Sequence, residues 1–105
     1  MELVAEPDYI VRDNPEKARY EILRDGALVG GVWYSAAAGV ITLIHTEVAQ
    51  EVEGEGIGSR LVAGALDDIR ARGLRVVPLC PFVRAYLRRH PEQRDLIALD
   101  PATAQ

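Results

Sequence analysis

Val40-Ile41-Thr42-Leu43-Ile44-His45-Thr46-Glu47-Val48, followed by Glu53-Gly54-Glu55-Gly56-Ile57-Gly58-Ser59, decides how this chain of 105 residues folds. The first run carries the strongest strand signal in the sequence, β-branched and apolar over most of its length. Period two sets Ile41, Leu43, His45 and Glu47 on one face and Val40, Thr42, Ile44, Thr46 and Val48 on the other. One face is thus expected to be apolar until its last two members, which are ionisable. Beyond the glycines the period changes. Ile57, Leu61, Val62, Ala65, Leu66 and Ile69 recur at helical spacing, while Arg60, Asp67, Asp68, Arg70 and Arg72 take the other side. Gly73 stands where a helix C-terminal glycine belongs. Residues 74–77 then read as another strand, so a strand, a glycine turn, a helix and a strand follow in order. That order predicts a parallel pair joined by a right-handed crossover.

Working outward, Tyr9-Ile10-Val11 is a short strand and Asp13-Asn14-Pro15 a turn. Residues 18–23 resume an extended pattern, and Asp25-Gly26 is the dipeptide favoured in two-residue hairpins. Residues 28–34 form the return strand, where Gly30-Gly31 suggests a bulge or a close backbone approach. Trp33 and Tyr34 are expected to pack on the sheet. Downstream, Pro78 and Pro81 bracket an irregular, exposed segment around Cys80. A shorter helix over residues 82–89 then stops at His90-Pro91. The predicted order is β-β-β-β-α-β-α, an α+β fold with a mixed, mainly antiparallel sheet. The length suits one domain over residues 1–105, with residues 99–105 expected to form a flexible tail.

Composition narrows the function. Apolar residues are 49% and charged residues 27% of the chain, the balance of a soluble globular protein. No apolar run approaches the roughly 20 residues that span a bilayer, so no membrane partner is expected. The acidic start Met1-Glu2-Leu3-Val4-Ala5-Glu6 lacks the basic and apolar regions of a signal peptide, which predicts a cytoplasmic protein. A single cysteine, Cys80, rules out an intrachain disulfide, and two histidines, His45 and His90, make no case for a metal site. Residues 1–59 carry 4 basic and 11 acidic side chains, residues 60–105 carry 8 and 5. Anionic ligands are therefore favoured toward the second half, yet the basic residues are too sparse for a duplex-binding stripe.

The chemistry lies in the glycine loop. Glycines at every second position admit backbone conformations closed to residues with a Cβ, so several N–H groups can converge on one point. The following helix adds its own free donors and the positive end of its dipole, which together suit a phosphate or diphosphate. A P-loop needs Gly-Lys-Ser/Thr, and the only lysine is Lys17. A dinucleotide fingerprint needs a third glycine where Ser59 stands and an acid ending the next strand, where Leu74-Arg75-Val76-Val77 is found. Both nucleotide readings fail on named residues.

Gly54-Glu55-Gly56-Ile57-Gly58-Ser59-Arg60-Leu61, set between a strand and a helix, resembles the coenzyme A loop of the GNAT acyltransferase superfamily. In that family the loop runs as a basic residue or Gln, two residues, Gly, one residue, then Gly or Ala; Glu53 stands at the first of these positions and departs from the pattern. His45-Thr46-Glu47-Val48, the glycine loop, and Val77-Pro78-Leu79-Cys80-Pro81-Phe82-Val83 with Tyr86, His90 and Pro91 are similar to a subfamily of very short GNAT-like proteins. The resemblance implies an N-acetyltransferase that uses acetyl-CoA with no metal, and a sheet whose fourth and fifth strands splay to admit the acyl thioester. It places the coenzyme A diphosphate on Gly54, Glu55, Gly56, Ile57, Gly58, Ser59 and Arg60, and the pantetheine on the fourth strand down to Val48.

The same resemblance sets Cys80 near the acyl group, as acyl acceptor, mixed-disulfide partner or small buried residue. His45 and Glu47, on one strand face near the loop, are candidates for the general base that deprotonates an incoming ammonium. Tyr86 occupies about the place of the tyrosine that protonates the departing thiolate, or else packs against Phe82. Arg84, Arg88 and Arg89 give the second helix a basic surface. Typical members carry N-terminal helices that wall the acceptor site, whereas strands fill this first half. An open site suits an amine on a macromolecule or a polyamine. A non-catalytic acyl-CoA binding or regulatory module with Cys80 as a sensing thiol is the alternative.

Overall fold

A computed structural model describes residues 6–98; the tail expected over residues 99–105 lies outside them. Five strands, β1 (Tyr9–Asn14), β2 (Arg19–Arg24), β3 (Ala27–Ala37), β4 (Val40–Val48) and β5 (Arg75–Pro78), form one sheet in the order β1-β2-β3-β4-β5. Helix α1 (Ile57–Ala71) crosses from β4 to β5, and α2 (Pro81–Arg89) follows. The first four strands pair antiparallel and β4 pairs parallel with β5. This is the α+β order expected from the sequence. The β2–β3 turn sits on Asp25 and Gly26, both with positive φ, as a type I′ hairpin requires.

Both helices pack on the sheet through one continuous core. Tyr20, Ile22, Val32, Ile41, Leu43 and Val76 meet Leu61, Val62, Leu66 and Ile69 of α1 and Val83 and Leu87 of α2, all at most 5% exposed. At the far end of α1, the Tyr20 hydroxyl donates to Asp68 Oδ2 at 2.6 Å, and Arg72 joins Asp68 to Asp13. The other sheet face bears no helix among the described residues. It carries Arg12, Arg19, Glu21, Trp33, His45 and Glu47. Glu21 is buried there beneath hydrogen bonds from Arg12 Nε, Asn14 Nδ2 and Arg19 Nε.

Strict alternation along β4 fails at one place. Trp33 pairs with His45 and Tyr34 with Leu43, so Ile44 is the extra residue of a bulge. Ile41 and Leu43 point into the core; past the bulge the phase reverses. Thr46 and Val48 now turn toward the helices, and His45 and Glu47 turn to the open face. The shared face predicted for Ile41, Leu43, His45 and Glu47 is corrected accordingly, while His45 and Glu47 do remain on one face together. No helix among the described residues is long and apolar enough to cross a membrane.

Candidate functional site

Two features converge at the C-terminal end of β4. The first is a fork. β5 pairs with β4 only from Val40 to Leu43, and the Leu43 carbonyl accepts both Leu79 N–H at 3.0 Å and Cys80 N–H at 2.9 Å. Beyond it, the edge of β4 that faces β5 has no strand partner among the described residues. Thr46 and Cys80 meet inside the fork, with Oγ1 and Sγ 3.2 Å apart.

The second is a nest of main-chain donors. After a 3-10 turn anchored by buried Val52, Gly54 and Gly56 take φ of +83° and +77°. An L-residue pays for that region, and glycine does not. The turned peptides leave the amides of Gly54, Gly56, Ile57, Gly58 and Ser59 without an acceptor among the described residues; the first bond of α1 runs from Arg60 N–H to Gly56 O at 3.1 Å. Val48, Val52, Glu53, Gly54, Gly56 and Phe82 wall a hollow of about 340 Å³ over these amides. Free amides and a helix N-terminus supply donors and partial positive charge, which suit a diphosphate. Glu53 opposes it. Gly58 has a further task, because a Cβ there would lie 2.6 Å from Cζ of Phe82. The ring of α2 thus rests directly on the first turn of α1.

The structure divides the remaining sequence candidates. Glu55 and Arg60 stand apart from the free amides. Glu55 N–H donates to Val52 O at 3.3 Å and its carboxylate pairs with Arg24 at 3.0 Å. The Arg60 guanidinium lies 4.3 Å above the Tyr9 ring. Cys80 is 3% exposed, in contrast to the exposed segment its prolines suggested, since its N–H is tied to Leu43 and its Sγ to Thr46. His45 Nε2 and Glu47 Oε2 are 3.4 Å apart on the open face, the two side chains 61% and 64% exposed, and the imidazole tilts over Trp33 at 5.9 Å. Tyr86 is buried and stacks on His90 with ring centroids 4.1 Å apart. Burial, then the negative charges of Glu92 and Asp67, raise its pKa. Arg84 and Arg88 line a separate groove with Arg94 and Leu87. Among the described residues no cluster of His, Cys, Asp and Glu is placed to hold a metal ion.

Sequence reasoning gave Thr46, Phe82 and Arg24 no role at the site. Each is defined by a contact across at least 24 positions in the chain, and no local spacing signals it.

A family model described as GCN5-related N-acetyl-transferase matches residues 19–96. No protein of curated function matches the chain. Among solved structures, a GCN5-like protein from Staphylococcus aureus is 18% identical with a TM-score of 0.64 over 91% of this chain and 95% of its own. A GNAT family acetyltransferase from Brucella melitensis, solved in complex with acetyl-CoA, is 29% identical with a TM-score of 0.55 over 69% of this chain. The match spans 50% of that longer protein. The ribosomal-protein-S18-alanine N-acetyltransferase of Escherichia coli shares the fold at 15% identity and a TM-score of 0.53, over 67% of this chain and 41% of its own.

Proposed function

Because this chain belongs to the GCN5-related N-acetyltransferase family, we propose that it binds acetyl-CoA and moves the acetyl group to an amine, as a cytoplasmic enzyme of the family's very short subfamily. The observation that carries the reading is the set of five main-chain amides at residues 54 and 56–59 that donate to no other group among the described residues. They would take the diphosphate. The unpaired edge of β4 from Ile44 to Val48 would run beside the pantetheine, and the thioester would reach the fork at Thr46 and Cys80.

His45 and Glu47 stand on the opposite face of the same strand, open to solvent. An acceptor ammonium reaching the fork from that side gives its proton to this pair, directly or through water, and the freed nitrogen attacks the thioester carbonyl carbon. The carbon–sulfur bond then breaks and the thiol leaves with a proton. His45 serves as the base and Glu47 orients it. Tyr86, its phenol near Asp67 and Glu92, works in this reading by packing α2. The uncovered face suits an amine carried on a macromolecule or a polyamine, and the excess of acid in residues 1–59 attracts such cations.

A second reading has its own observation. Cys80 is the one thiol and lies buried in the fork, a position suited to sensing an acyl-CoA without turnover. An amine-panel acetyl-transfer assay on the wild type and the His45→Gln variant decides between them. Turnover that falls in the variant, with acetyl-CoA affinity retained, supports the enzyme. Tight binding without turnover on any amine supports the module. No binding at millimolar acetyl-CoA rejects both.

A further inference from the structure

Every residue from Val52 to Ser59 lines the hollow over the free amides except Glu55. Glu55 sits between the two positive-φ glycines, the most permissive joints of the loop, so the adjoining backbone alone does not fix where its carboxylate lies. An outside residue fixes it. Arg24, the last residue of β2, holds Glu55 Oε1 with Nη1 at 3.0 Å. This arginine lies 31 positions earlier in the chain and on a different element, and it docks onto the loop through that contact.

The electrostatics give the contact a purpose. Glu53, an acid, already lines the hollow at the place where the family carries a basic residue or Gln. A second carboxylate swinging in on its glycine hinges would set two negative charges against an anionic ligand. We infer that Arg24 is a positioning residue of the coenzyme site: it keeps Glu55 out of the amide nest and cancels its charge. The inference rests on the coenzyme A reading above. The two side chains are 31% and 41% exposed, so their pairing adds little to folding stability and its loss leaves the domain folded.

Calorimetric titration of acetyl-CoA into the wild type, Arg24→Ala, Glu55→Gln and the double variant tests this at low ionic strength. Arg24→Ala is expected to weaken binding about fivefold, less as salt is added. Glu55→Gln should bind at least as tightly as the wild type, and the double variant should match Glu55→Gln. In steady state the single Arg24 variant should raise KM for acetyl-CoA and leave kcat unchanged. Wild-type affinity in Arg24→Ala, or a double variant no tighter than that single, overturns the inference while the coenzyme reading stands. Thermal melts of the four proteins show whether any loss is one of folding, which also overturns it. A wild type that binds no acetyl-CoA overturns the coenzyme reading itself.

Discussion

Replacing Gly56 with Ala separates backbone conformation from every other property of the proposed coenzyme loop. A Cβ at residue 56 meets no atom within 4 Å, so the substitution introduces no clash. What it introduces is torsional. At φ +77° an L-residue carries about 1–2 kcal/mol of strain that glycine lacks. Residue 56 is exposed and caps α1, so the cheapest relief is a local peptide turn that withdraws the amides and leaves the core packed. Binding then has to restore the nest against that strain, and a cost of about 1–2 kcal/mol corresponds to a Kd for acetyl-CoA raised roughly 5- to 30-fold. Asn tolerates the left-handed region better and should fall between Gly and Ala, with Val the weakest. Isothermal titration of the four proteins, with melting curves alongside, reads both outcomes. Undiminished affinity in Gly56→Ala together with an unchanged melting temperature refutes the requirement for this backbone, and with it the amide nest.

Gly64 poses the opposite case, since a Cβ there would lie 2.6 Å from Cβ and Cγ2 of Val11, atoms held close to the β1 backbone. Overpacking outweighs the gain in helix propensity, and Gly64→Ala should lose about 1–2 kcal/mol in denaturant unfolding; a more stable variant contradicts the contact. Tyr20→Phe removes the 2.6 Å bond to Asp68 and should cost about 1–2 kcal/mol by the same measurement, with no change expected in acetyl-CoA affinity. Burial pushes the Glu21 pKa up, but hydrogen bonds from Arg19, Arg12 and Asn14 outweigh it and hold the carboxyl below its ordinary range. A folded-state pKa below the unfolded one means stability that is whole above about pH 5 and lost as acid protonates the folded carboxylate. Glu21→Gln should therefore lower the melting temperature at pH 7 and flatten its decline toward pH 3. An acid limb as steep as that of the wild type rejects this role.

Much of the fold was legible because local signals and tertiary packing agree. Asp25-Gly26 selects its hairpin through two left-handed residues, and the apolar stripe from Ile57 to Ile69 is the face that α1 buries. The glycine loop was legible for the same reason, since positive φ at Gly54 and Gly56 is a property of the residue itself. The β4 bulge was not. Nothing in Leu43-Ile44-His45 marks Ile44 as supernumerary; the extra residue is defined by what β3 presents opposite, Trp33 against His45 and Tyr34 against Leu43. The exposed segment expected around Cys80 was not found either, because Pro78 ends β5 and Pro81 starts α2 while the Leu43 carbonyl and Thr46 hold the cysteine in place. Glu21 reads as a surface acid by type, and only its three donors make the burial affordable.

The distance between the fork and the loop has a consequence for substrate choice. Two residue steps separate Thr46, whose hydroxyl meets the Cys80 thiol in the fork, from Val48 on the wall of the hollow, an extended reach of about 7 Å. In the proposed coenzyme reading, a rigid sheet edge of fixed length with an anion clamp at one end would act as a ruler. Only a donor whose reactive carbon trails its charged head by a matching span would then reach the thiol and hydroxyl at the other end.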